Sequence, residues 1–146
     1  MGHLRIMNST NNFIFESKEP DYQTWSHLRA IVGWTPYSVN VYKKVIENSL
    51  CFVTAWHHNK IVGMGRLVGD NITSFYIQGI VVEPCFQNRG IGTQIVNHLL
   101  LYAKENAAEG ASINLFAHKG SEGFYQKCGF SQHPNSTRGA GMSQRL

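Results

Sequence analysis

The chain has 146 residues, of which 42% are apolar, 12% aromatic and 15% charged. That length suits one domain, residues 1–146, around one hydrophobic core, and the composition is that of a soluble globular protein. It excludes a membrane-spanning helix, and the polar N-terminus lacks the apolar segment of a secretory signal. The net charge of +4 and pI near 9.1 would admit a nucleic-acid role. The basic residues are scattered, however, with no run beyond Lys43-Lys44, and a ligand carrying several phosphates accounts for a mild positive field equally well. Three cysteines (Cys51, Cys85, Cys128), odd in number and without C-x-x-C spacing, argue against a disulfide framework or a zinc site and for a reducing cytoplasm.

In chain order, Phe13, Ile14 and Phe15 predict a short strand within 12–17. Asp21 can cap a helix reaching Val32, with Trp25, Leu28, Ile31 and Val32 on one side, and Gly33 stops it. Trp34 to Tyr37 form a loop, and Ser38 caps a second helix through Asn48 with Val41, Val45 and Ile46 as its stripe. A hairpin follows: Leu50–Trp56, a polar turn at His57, His58 and Asn59, then Lys60–Val68. The turn Gly69-Asp70-Asn71 leads into an apolar, β-branched strand, Phe75–Val82. Pro84 ends that strand, having no backbone donor and biasing Glu83 away from helix. From Thr93, Ile95, Val96, Leu99, Leu100 and Ala103 recur at helical spacing. The remainder reads as a strand over 111–117, a helix from Ser121 to Lys127, a strand from Gly129, a polar loop from Pro134 to Gly141, and a last strand over 142–146.

Between the central strand and the long helix stand Gln87, Asn88, Arg89, Gly90, Ile91 and Gly92. The first turn of a helix leaves N–H groups without partners at the positive end of the helix dipole. A glycine-bearing loop feeding that turn makes a site for a phosphate or pyrophosphate, and Arg89 adds a full charge at its rim. Neither G-x-x-x-x-G-K-[ST] nor G-x-G-x-x-G is present, so the two familiar phosphate loops do not fit.

V-V-E-P-x-x-Q-x-x-G-I-G followed by a long amphipathic helix resembles the acetyl-coenzyme A motif of the GNAT acyltransferases, Q/R-x-x-G-x-G/A, carried by Gln87, Gly90 and Gly92. Downstream, FYQKCGF (Phe124 to Phe130) is similar to the family's F/L-Y-x-K-x-G-F element. The resemblance covers residues 25–142, and LRAIVGW early with GAGM late looks like a subgroup of small single-domain members. It implies an α+β fold with a mixed, mostly antiparallel central sheet flanked by helices. It also implies transfer of an acetyl group from acetyl-coenzyme A to the primary amine of a small molecule, by direct attack in a ternary complex. A peptide or protein amine as acceptor, or a non-catalytic acyl-coenzyme A sensor, are the rival readings. Homodimers built on sheet or C-terminal strand contacts are common in this superfamily.

Carried over residue by residue, the resemblance puts the backbone of Ile80 at the thioester carbonyl, Val81 and Val82 along the pantetheine arm, and Gln87, Asn88, Arg89, Gly90, Ile91, Gly92 and Thr93 on the pyrophosphate. Tyr125 matches the tyrosine near the sulfur, where a phenol is a reasonable proton donor to a departing thiolate; packing of its ring against Phe124 and Phe130 is the competing reading. His118, seven residues before Tyr125, stands where relatives place a cofactor-binding asparagine, and an ordinary loop histidine fits it equally. The acceptor pocket maps to Trp34, Tyr37, Arg29 and Tyr76, with Trp25 nearby, an aromatic wall suited to an amine. Gly79 stands where relatives carry an acid, which leaves the general base unassigned; Glu83 lies toward the pyrophosphate end. His57 and His58 lack a third ligand and read as a solvated turn. Cys85 and Cys128 lack a histidine at motif spacing for covalent catalysis.

Overall fold

The computed structural model describes residues 5–7 and 12–146. Its elements are β1 (Arg5–Met7), β2 (Phe13–Glu16), α1 (Tyr22–Ile31), α2 (Val39–Glu47), β3 (Cys51–His57), β4 (Lys60–Gly69), β5 (Ser74–Val82), a 3₁₀ turn (Pro84–Phe86), α3 (Ile91–Asn106), β6 (Ser112–Asn114) and α4 (Glu122–Lys127). The strands form one six-stranded sheet in the order β1-β2-β3-β4-β5-β6, antiparallel throughout except for the parallel β5–β6 pair. The fold is therefore α+β with a mixed, mostly antiparallel sheet. The chain divides into two compact units, Met1–Asn114 and Leu115–Leu146.

The helix starts follow from local chemistry. The Asp21 carboxylate accepts from the Thr24 amide at 2.9 Å and the Ser38 hydroxyl from the Val41 amide at 3.3 Å, each satisfying an otherwise orphan donor. The turn before β5 is closed by Asp70, which accepts from the amides of Ile72, Thr73 and Ser74 at 2.9, 2.8 and 2.9 Å. The Ser74, Ile72 and Thr73 donors hold its carboxyl far below the usual carboxylate range.

Both sheet faces are covered within the first unit. On one, Trp25 and Leu28 of α1 pack with Ile61, Met64 and Val81, with Trp34, Tyr42 and Val45 against them. On the other lies α3, whose buried residues include Ile95, Val96, Leu99 and Ala103 of the expected stripe; Ile91 joins them, and Leu100 is only half-buried. The helix can approach because β4 presents Gly63 and Gly65 there. A Cβ on Gly65 would stand 2.5 Å from Ile80 Cδ1, 2.7 Å from Ile95 Cγ2 and 3.2 Å from Leu99 Cδ1. Gly65→Ala is thus expected to cost about 1–3 kcal/mol by overpacking, read as a lower urea midpoint at unchanged slope. A midpoint at the parent value would mean that α3 moves aside freely.

Two irregularities set which residues face which side. Against β3, β4 carries an extra residue near Val62, so Ile61 and Met64, three apart, share the α1 face. Against β4, β5 carries an extra residue: Arg66 pairs with Gln78 and Met64 with Val81, so Gly79 and Ile80 together oppose Gly65. Gly79 has φ +67°, a left-handed conformation that glycine adopts without penalty. Across the bulge Gln78 and Val81, three apart, pair with Arg66 and Met64 on the α1 face while Ile80 points toward α3; strict alternation would put Gln78 and Val81 on opposite faces.

Several expected boundaries shift. β1 carried no periodic signal at three residues, and α3 begins at Ile91, two residues before Thr93. The strand expected over 111–117 forms only over Ser112–Asn114. The strands expected from Gly129 and over 142–146 are absent among the described residues. Between them the polar loop expected from Pro134 to Gly141 is closed by Asn135, whose side chain accepts from the Thr137 and Arg138 amides, both at 3.0 Å, and whose amide donates to the Arg138 carbonyl at 2.9 Å.

Candidate active site

β6 pairs with β5 only at Ser74, Phe75 and Tyr76. Beyond Tyr76, the edge of β5 that faced β6 continues past Gly79, Ile80, Val81 and Val82 without that partner strand, and such an edge offers backbone donors and acceptors to an incoming chain. Three of the predicted contact residues, Ile80, Val81 and Val82, lie along it.

The edge leads directly into the glycine loop. Glu83 N–H donates to the Val62 carbonyl at 2.8 Å, and the 3₁₀ turn reverses the chain. The Gln87 side-chain amide donates back to the Val82 carbonyl at 3.1 Å, so this side chain ties strand to loop. Arg89 donates to the Cys85 carbonyl at 3.1 Å with its guanidinium 5.3 Å from the Phe86 ring centre. Phe86 in turn packs on His57 at 5.1 Å, which anchors the loop to the end of β3. Asn88 and Gly90 are left-handed, with φ +60° and +79°. Gly90 is the N-cap of α3, and among the described residues no side chain caps that helix start. A Cβ at Gly90 would meet nothing within 4 Å, so the space before the amides of Ile91, Gly92 and Thr93 is open on that side. The predicted pyrophosphate residues therefore form one continuous turn.

Of the predicted acceptor residues, Arg29, Trp34 and Tyr37 come together with Trp25. The Arg29 guanidinium lies 4.1 Å from the Tyr37 ring centre, 5.5 Å from Trp34 and 5.7 Å from Trp25, and its Nε donates to the Thr35 carbonyl at 3.0 Å. Tyr22 hydroxyl donates to the Tyr37 carbonyl at 2.8 Å, fixing the loop. Tyr76, opposite Val68, shares its sheet face with Gln78 and Arg66 by alternation. Arg66 is the residue that sequence reasoning missed. It is half-buried, donates to Ser49 Oγ at 3.1 Å, and is hydrogen-bonded to Gln78 Oε1. Burial pulls its guanidinium below the ordinary value; Tyr37 opposes that shift and Arg29 adds to it. The signal for it was a lone arginine inside an otherwise apolar strand, IVGMGRLVG.

Glu83 is 5% exposed and is held by Lys60 Nζ at 2.7 Å and His27 Nε2 at 3.3 Å. Burial alone would raise its carboxyl, but the hydrogen bonds and charges of Lys60 and His27 outweigh burial and lower it below its ordinary 4.5. A weakened, doubly engaged carboxylate is a poor base and a good tie between α1, β4 and the end of β5. Because it binds a proton less readily folded than unfolded, its stabilisation is present above about pH 4.5 and drains away as pH falls through the lower folded value. The stability difference between the parent and Glu83→Gln should shrink from about pH 6 to about pH 3 in urea titrations; a constant difference would refute the tie.

His118 and Tyr125 belong to the second unit. His118 Nδ1 lies 3.1 Å from the Lys119 carbonyl, and the His118 carbonyl accepts from the Ser121 amide at 2.8 Å, at the entry to α4. Tyr125 is half-buried in α4, its ring 4.9 Å from Phe124 and 6.1 Å from Phe130. Burial raises the Cys128 thiol and pushes Cys51 up to about 12, so both stay protonated and unreactive near neutrality.

Comparison with known proteins agrees with this architecture. The model of the Acetyltransferase (GNAT) family matches residues 11–130, across both units. A Prochlorococcus marinus protein called uncharacterized N-acetyltransferase ycf52-like is 28% identical over 136 residues, covering 90% of this chain and 74% of that one. N-acetyltransferase ycf52 of Pyropia yezoensis, also called uncharacterized, is 30% identical over 112 residues, 74% of this chain and 63% of that one. A solved structure of a probable acetyltransferase from meticillin-resistant Staphylococcus aureus superposes with a TM-score of 0.81 at 28% identity, covering 92% of this chain and 99% of that one. With the strand, the glycine turn and the helix in the order its motif requires, and the match running over most of its length, the chain belongs to the GNAT family of acetyltransferases.

Proposed function

We propose that this protein transfers the acetyl group of acetyl-coenzyme A to the primary amine of a small molecule, by direct attack in a ternary complex. The observation that carries the reading is the strand edge of β5, unpaired by β6 beyond Tyr76, running into a helix start whose N-cap, Gly90, has no side chain to cap it. These residues fit the cosubstrate. An extended amide-bearing arm can add along the open edge at Ile80, Val81 and Val82, and a diphosphate can fill the space before Gly90. When bound, acetyl-coenzyme A supplies an activated acyl group with a thiolate leaving group.

The remaining work falls to the chain. The amides from Gln87 to Thr93, at the positive end of α3, bind and orient the diphosphate. The backbone N–H of Ile80 donates to the thioester oxygen, a placement worth a few kcal/mol when a donor is preset. As the C–N bond forms and the C–S bond breaks, Tyr125 gives its proton to the departing sulfur, and the proton shed by the amine nitrogen returns to the tyrosinate through water. His118 lines the cosubstrate side. Trp34, Tyr37, Arg29 and Tyr76 hold the acceptor. Glu83 is not the base, because Lys60 and His27 already engage it. Gly79 leaves no carboxylate at the bulge, and its φ of +67° gives the physical reason that glycine stands there.

The test is calorimetry with acetyl-coenzyme A followed by thiol-release assays on the same sample across an amine panel. Saturable binding with amine-dependent thiol release is expected. Binding without release to any amine would leave a sensor, and no binding would remove the reading altogether.

A further inference from the structure

The aromatic wall expected to receive a cationic amine is already covered by a cation. Arg29 lies over Tyr37, Trp34 and Trp25, so an ammonium approaching those rings meets a guanidinium first. A second guanidinium stands on the same sheet face. Arg66 opposes Gln78, the neighbouring pair Met64–Val81 packs on α1, and Arg66 lies two residues from Met64 along β4. It therefore lies beside the bulge that presents Ile80. Among the described residues the ion pairs both involve Glu83, with Lys60 and His27, so neither arginine has a carboxylate partner. Arg66 is half-buried, and among the described residues its side chain bonds to the neutral Ser49 and Gln78 side chains. A guanidinium carries five donors, and those bonds use two of them. Holding a partly desolvated charge against neutral partners is costly unless a counter-ion arrives.

We propose that Arg66, with Arg29, binds an anionic group of the acceptor, so that the substrate is a small amine that also carries a carboxylate or a phosphate. The proposal rests on the acetyltransferase reading above and narrows its substrate class. Planar guanidiniums suit either oxyanion, because both accept paired N–H donors. The anion docks on the arginines and leaves the amine to point along the sheet toward Ile80. Such an acceptor also supplies the charge that the fold withholds from Arg66.

The experiment uses the full chain and two matched pairs of amines, phenylalanine against phenethylamine and phosphoethanolamine against ethanolamine, with kcat/KM read by thiol release. The acid-bearing member of at least one pair should be favoured about tenfold or more, as expected when a charge-assisted bond is gained. The pair showing the advantage tells carboxylate from phosphate. In Arg66→Gln that advantage should fall about tenfold, through KM for the acid-bearing amine, while Arg66→Lys, which keeps the charge and controls for folding, retains part of it. Equal or better use of the neutral member in both pairs overturns the proposal, as does an advantage that survives Arg66→Gln. If none of the four amines is acetylated, calorimetry with the two acid-bearing amines separates the claims. Binding that Arg66→Gln abolishes keeps the anion site and removes the transfer reading; no binding removes the site.

Discussion

Gly90→Glu is expected to lower the affinity for acetyl-coenzyme A about 100-fold or more, roughly 2.7 kcal/mol, while the protein stays folded. Gly90 holds φ +79° at the start of α3, so any side chain there is strained by roughly 1–2 kcal/mol. Steric conflict adds nothing, since a Cβ would meet no atom within 4 Å. A carboxylate at this position sits at the positive helix end and recovers about 0.3–1 kcal/mol by acting as the missing cap. The same contact occupies the site proposed for the diphosphate and repels it. Gly90→Ala carries the strain without the charge and should lose no more than about tenfold. Raising the salt should partly rescue Gly90→Glu, because like-charge repulsion at an exposed loop is screened. Calorimetry with all three proteins at two ionic strengths checks this. Parent-like affinity in Gly90→Glu would falsify the phosphate-cradle reading.

Tyr125→Phe is expected to reduce kcat about 100-fold, within the range that a positioned proton donor contributes. The ring contacts with Phe124 and Phe130, at 4.9 and 6.1 Å, survive in phenylalanine, so stability should change by less than about 1 kcal/mol. Loss of kcat with an unchanged affinity for acetyl-coenzyme A would place the hydroxyl in the chemical step. An unaltered kcat would take Tyr125 out of the mechanism and leave it as a packed ring of α4.

Much of this was legible in the residues. Asp21 and Ser38 announce their helices because a short polar side chain at an N-cap acts locally, through an amide three residues on. Phe75–Val82 and the stripe on α3 are periodic over enough residues to identify strand and helix. The Gln87 to Gly92 turn is written locally, because φ turns positive at Asn88 and Gly90, residue types that tolerate the left-handed region. The C-terminal strands misread for the opposite reason. A few apolar residues near Gly129 and Met142 fit a strand pattern, but runs that short do not by themselves identify a strand.

From the order of its residues alone, this chain declared its helix caps, its central strand and its glycine turn, since those depend on contacts within a few residues. Tertiary structure alone decided three things. Gly79 is a bulge and not merely a missing acid, Glu83 is a strut tied to Lys60 and His27, and Arg66, on the sheet face that α1 covers, has no carboxylate partner among the described residues. Each depends on register between strands or on partners distant in sequence, and a side chain's charge has no counter-ion until the fold chooses its neighbours.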